Sequence, residues 1–112
     1  MSTFRIALAN LRYPATPEES LTLAEQAIAQ ASAERAGLIC FPECFVPGYR
    51  GLGKSPPPPD PAFLDRAWSA IAAAAAKAGV VVVLGTERMV DGDGALLATA
   101  LVINRDGTIA GF

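Results

Sequence analysis

Apolar residues along this chain come in short dense runs, separated by longer stretches where they recur every three to five positions. "FRIALANL", from Phe4 to Leu11, is short and apolar and predicts a first, mostly buried strand. "TPEESLTLAEQAIAQASAERAG" then places Leu21, Ala24, Ile28, Ala31 and Ala36 on one helical face. Its opening carries helix punctuation: Thr16 as N-cap, Pro17 at the first helical position, and Glu19 three residues on as a capping box wants. Gly37 is the expected stop, and "LICF" predicts a second buried strand directly after it. Past a proline-rich loop, Asp60 caps and Pro61 opens a second helix, "PAFLDRAWSAIAAAAAKAG". Phe63, Ala67, Ile71 and Ala74 form its apolar face, and Gly79 ends it. "VVVVLGTER" predicts a third strand, apolar on both faces as a central parallel strand should be. From Gly85 the pattern changes, and "ALLATALVINRDGTIAGF" predicts two strands joined by a turn at Asn104 to Gly107.

Strand, helix and strand with short joints form a right-handed βαβ unit with parallel strands. The expected class is therefore α/β, in the order strand-helix-strand-helix-strand and then a β-hairpin. At 112 residues, 1–112 is read as a single domain. A net charge of −2 without a long basic run leaves no electrostatic footprint for nucleic acid or an anionic membrane surface. The greasiest window, "AIAAAAAKAGVVVVLG", is broken by Lys77 and glycines, so it reads as a helix end plus a strand and not a membrane span. The start lacks a basic region followed by a long apolar one, which makes a cytoplasmic location the expectation.

The absence of histidine narrows the chemistry. No Ser-His-Asp or Cys-His nucleophile system is housed within these residues, so acid–base work falls to carboxylates, lysine, tyrosine or cysteine. Cys40 and Cys44 have no further cysteine or histidine with which to build a metal site, and they read as packing residues. No cofactor is expected.

Gly48, Gly53, Lys54 and Ser55 match the spacing of a phosphate-binding loop, G-x-x-x-x-G-K-S. Such a loop needs a helix to begin at its Lys-Ser pair, with the helix N-terminus facing the phosphate. Here four prolines follow Ser55; each lacks an N–H and disfavours helical geometry in the residue before it. The match is read as coincidence, and the polyproline run as a stiff connector.

Ligands of parallel α/β sheets sit beyond the carboxyl ends of the strands, which is where Glu43 of "FPECFVPGY" falls. Flanked by Phe41, Phe45 and Val46, its carboxylate is expected to be partly desolvated, which suits a general base. The alternative from spacing alone is a glutamate that opens a loop or caps a neighbouring amide.

The chain resembles the nitrilase, or carbon–nitrogen hydrolase, superfamily over nearly its whole length. The resemblance runs through "RIALANL", "LICFPECFVPGYRG", "VVVVLGTER" and "ALVINRDGTIAGF". Pro42, Glu43, Gly48 and Tyr49 match the family's proline–glutamate and Gly-Tyr pattern, Gly85, Glu87 and Arg88 its Gly-x-Glu-Arg segment, and Asp106 and Gly107 its turn. "LLATA" departs from many relatives, which carry asparagine where Ala98 stands. The resemblance implies a Glu–Lys–Cys triad with Glu43 as general base, acting on a small-molecule amide, carbamoyl or nitrile substrate. It further implies the N-terminal part of an α-β-β-α sandwich, with the family's lysine and cysteine beyond Phe112, and assembly as a homo-oligomer. Neither Lys54 nor Lys77 matches the family lysine, and Cys44 does not match the nucleophile. Tyr49 is a candidate for the substrate entrance or for packing over the sheet. Glu87 and Arg88 either support the catalytic carboxylate or form a structural ion pair, and Trp68 is expected in the core or an interface. The alternative function is a non-catalytic hydrolase fragment that serves as a folding or assembly partner.

Overall fold

Capping fixes where both helices begin, and the sheet forms between and after them. The computed structural model describes residues 3–51, 53–54, 56–90 and 94–112. Its elements are β1 (Ile6–Leu8), α1 (Pro17–Ala33), β2 (Leu38–Cys40), α2 (Pro61–Ala78), β3 (Val81–Met89), β4 (Leu96–Ile103) and β5 (Ile109–Gly111). The strands make one sheet in the order β1-β2-β3-β4-β5. The first three run parallel, and β4 and β5 add on antiparallel.

In α1 the Thr16 hydroxyl accepts the Glu19 N–H at 3.1 Å. The return arm of the expected capping box lands one residue early: the Glu19 carboxylate accepts the N–H of Ala15 at 2.8 Å and a guanidinium hydrogen bond from Arg12 at 2.6 Å. The helix stops at Ala33, with Arg35 in the left-handed region (φ 61°), so Gly37 is not the terminator expected. A Cβ at Gly37 would lie 2.5 Å from the exposed Phe4 ring. In α2 the expected punctuation is present: Asp60 accepts the Phe63 N–H at 3.1 Å, and Gly79 closes the helix at φ 67°.

Both helices cover the same face of the sheet. Ile28 of α1 and Ile71 of α2 pack over Ile39, Val82, Leu84, Leu101 and Ile103, all essentially without exposure. Strand alternation sends the neighbours of those residues the other way. Ile6, Leu38 and Val81 form one cross-strand row, and Leu8, Cys40, Val83 and Val102 form the next. Ile6 and Leu8 are 56% and 77% exposed, which corrects the expectation that the first strand is mostly buried. The molecule therefore has two layers, helices on sheet, with one sheet face open.

Trp68, expected in the core or an interface, is half-buried at the helix–sheet junction, and its indole N–H donates to Thr86 Oγ1 at 3.0 Å. The hairpin turn forms where predicted: Asn104 N–H donates to Thr108 O at 2.8 Å, and Gly107 sits at φ 88°. No helix follows Gly53–Lys54, since α2 starts only at Pro61; Ser55 lies outside the described residues. Among the described residues, no helix is long and apolar enough to cross a membrane.

Candidate active site

The site grows out of the way β2 leaves the sheet. The strand pairs with β3 up to Phe41, whose N–H donates to Val83 O. It then loops out and rejoins β3 at Val46, whose N–H donates to Gly85 O and whose carbonyl accepts the Glu87 N–H. Five residues are spent from Phe41 to Val46 where β3 advances only from Val83 to its next contact at Gly85, so the extra chain bulges as a turn. Phe45 N–H closes that turn on Pro42 O at 3.2 Å, and Cys44 adopts a left-handed conformation (φ 48°). Glu43 stands within the turn.

Gly85 is what lets the turn lie there. Its missing side chain would point to the open face, on the parity of Val81, Val83 and Glu87. A Cβ at that position would stand 1.8 Å from Pro42 O and 3.0 Å from Cys44 N. The turn is thus pressed against the β3 backbone at the carboxyl rim of the parallel strands.

Glu43 itself is exposed, not partly desolvated as expected. Phe41 and Phe45, the supposed flanking apolar wall, turn into the core and pack on each other at 5.7 Å between ring centres. No hydrogen bond holds the Glu43 carboxylate among the described residues.

The carboxylate that is buried is Glu87, at 2% exposure. Its ion-pair partner is Arg50. Arg50 Nε donates to Glu87 Oε1 and Nη2 to Oε2 at 3.2 Å, a two-pronged contact across a sequence distance of 37. Arg50 Nη1 donates to Pro57 O at 2.8 Å. The ion pair expected at Glu87 is present, but not with Arg88. Alternation puts Arg88 on the opposite face, where its guanidinium lies 4.5 Å from the centre of the Phe112 ring.

Tyr49 is half-exposed, and its carbonyl accepts the Tyr13 hydroxyl. With Cys44, Arg50, Glu87, Leu96, Leu97 and Ala98 it lines a recess of 190 Å³. Spacing therefore brought out Glu43, the family resemblance added Tyr49 and Glu87, and both missed Arg50. The one linear hint was that Arg50 is a cation in the loop next to a strand-end glutamate, and nothing local announces a partner so far along the chain.

Cys44 is buried, its Sγ 3.9 Å from Thr86 O. Burial pushes its thiol above the ordinary value, and the nearby charges of Glu43 and Glu87 push the same way against the weaker pull of Arg50. It is a packing thiol held protonated at neutral pH. Neither cysteine is in a disulfide. Among the described residues no group of three His, Cys, Asp or Glu side chains could hold a metal ion.

Comparison with known proteins agrees with this architecture. An amidase from Nesterenkonia sp. superposes with a TM-score of 0.78 at 27% identity, covering 98% of this chain and 41% of that one. A variant of the amidase from Nesterenkonia sp. AN1, in complex with butyramide, gives 0.77 at 26% identity over 98% and 42%. A carbon–nitrogen hydrolase from Helicobacter pylori G27 shares the fold at a TM-score of 0.75 and 19% identity, over 96% and 38%. The chain spans about two fifths of the length of these structures. Its sheet and two helices are a partial nitrilase-type fold. Among curated proteins none matches. The family model for carbon–nitrogen hydrolases matches residues 5–112, through the looped-out Pro42–Glu43 turn, the Gly85 beneath it and the hairpin, and the chain belongs to that family.

Proposed function

We propose that this chain is the glutamate-bearing part of an amidase-type carbon–nitrogen hydrolase, with Glu43 as its general base. The observation that supports this most directly is the placement of Glu43: an exposed carboxylate without a protein partner, on a turn pinned over Gly85 at the carboxyl rim of the parallel strands. A base has to be reachable by the group that gives up the proton, whereas Glu87 is buried and held in a fork by Arg50.

In this reading Glu43 takes the proton of a cysteine thiol, and the thiolate attacks the amide carbon. A lysine ammonium stabilises the anionic tetrahedral intermediate. Glu43 returns the proton to the leaving ammonia or amine, then takes one from water as that water attacks the thioester, and passes it to the departing cysteine sulfur. The thiol is neither Cys44, which is buried and held protonated, nor Cys40, which stands within β2. It belongs to polypeptide outside these residues, as does the lysine. That same polypeptide, lying over the open face, would supply the second wall that dries the Glu43 carboxylate. Small aliphatic amides are the substrate class we favour. The amidase from Nesterenkonia sp. AN1 is known with butyramide bound and with the acetamide moiety of fluoroacetamide added at its active-site cysteine.

The test is Glu43→Gln in a chain long enough to carry both missing groups. Ammonia release from an aliphatic amide should fall by at least about a thousandfold, with the melting temperature unchanged because the side chain is exposed. Undiminished release would remove Glu43 from the role.

A further inference from the structure

Arg50 stands between two cavities. On one side is the 190 Å³ recess with Tyr49, Glu87 and Cys44; on the other is a 520 Å³ crevice formed by the starts of both helices and the polyproline segment 56–59. It is also where three separate pieces of chain meet, because its three nitrogens reach Glu87 on β3 and Pro57 on the polyproline segment from a position just past the Glu43 turn. After Val46 the chain leaves β3, and Arg50 is the next residue to bind it. The left-handed turn at Cys44 lies between the Phe41 and Val46 attachments to β3, and the Arg50–Glu87 fork adds a third hold on that strand, lining one recess with Cys44.

A fork is the contact suited to this task. A guanidinium bound through two nitrogens fixes direction as well as distance, whereas an ammonium at the same place would fix distance alone. Glu87 is correspondingly dry, at 2% exposure, and it is the buried charged side chain among the described residues. A carboxylate taken out of water is retained only with a partner of good geometry, which makes the pair cooperative with the closed loop.

We propose that Arg50 and Glu87 are positioning residues: their two-pronged ion pair sets the orientation of the Pro42–Cys44 turn over Gly85, and through it the direction of the Glu43 carboxylate, while anchoring the polyproline segment. The part concerning Glu43 rests on its role as base; the clamp itself does not.

Cys44 offers a readout separate from turnover. It sits in the turn and is buried, while Cys40, on the strand just before the turn, is an internal control. Iodoacetamide labelling of the complete protein, read by peptide mass, reports each thiol separately. Arg50→Lys keeps a cation beside Glu87 but removes the fork and its reach to Pro57. It should speed Cys44 labelling by about tenfold or more while Cys40 labels at the parent rate. An Arg50→Met/Glu87→Leu double variant, which removes both charges together, should do the same with the fold retained. Parental Cys44 labelling in either folded variant, or equal acceleration at both cysteines, overturns the clamp. Failure of Glu43→Gln to lower turnover would leave that labelling result untouched, so the two ideas fail separately.

Discussion

At the scale of single residues, the site is decided by a side chain that is absent. Gly85 accommodates the Pro42 carbonyl where a methyl group would stand 1.8 Å from it. That is backbone against backbone, which no rotamer change relieves. We therefore expect Gly85→Ala to cost more than about 3 kcal/mol, seen as a large drop in urea midpoint, or to displace the Glu43 turn. A midpoint within error of the parent would mean that the turn does not rest on Gly85. The family resemblance placed Gly85 in the Gly-x-Glu-Arg segment, but did not say why a glycine stands there. The reason is contact with a residue 43 positions away, and short-range spacing does not record it. Glu43 was legible for the opposite reason, since a glutamate directly after a buried parallel strand announces its own position. Its exposure was not legible. The phenylalanines beside it read as a wall around the carboxylate, whereas their rings turn into the core.

Elements carry most of what could be read in advance. The helix starts at Pro17 and Pro61 follow from local hydrogen bonds that Thr16 and Asp60 make within three residues. The start of α1 also gives the molecule an acid-sensitive feature. Glu19 is held below its ordinary value of 4.5, first by the hydrogen bond from Arg12 and then by the Ala15 N–H. Glu18 is shifted the same way by Arg66. A carboxyl group with a depressed pKa in the folded state adds stability that is fully present above its unfolded pKa and is lost as pH falls through the folded one. The melting temperature should accordingly decline as pH drops from about 5 towards 3, and Glu19→Gln should flatten part of that decline. An identical slope in parent and variant would show that the Arg12–Glu19–Ala15 contacts contribute nothing measurable. The end of α1 was harder to anticipate. Gly37 looks like a stop, yet the left-handed position falls to Arg35, two residues earlier.

At the scale of the whole molecule, both helices lie on one side of the sheet, and Ile6 and Leu8 stand uncovered on the other. A sheet face of this kind, isolated in water, favours association. The 112-residue chain produced alone should bind an apolar-surface dye strongly and sediment as more than a monomer, and Leu8→Glu should reduce both. A dye-silent monomer would mean that the open face is covered by some rearrangement of the chain itself. The same open face explains why Glu43 lies in solvent here, since drying a carboxylate takes walls on both sides and this chain builds one.

By itself the sequence determined the order of strands and helices, the caps that start each helix, the hairpin, and the strand-end position of Glu43. All of these depend on residues within a few places of one another, where propensity, periodicity and capping act. Tertiary structure alone decided that both helices share a face, that Glu87 pairs with Arg50 and not its neighbour, and that the Glu43 turn rests on Gly85. Those outcomes depend on which surfaces meet once the strands align. Contact between parts distant in sequence is set by packing and hydrogen-bond geometry that no local pattern encodes.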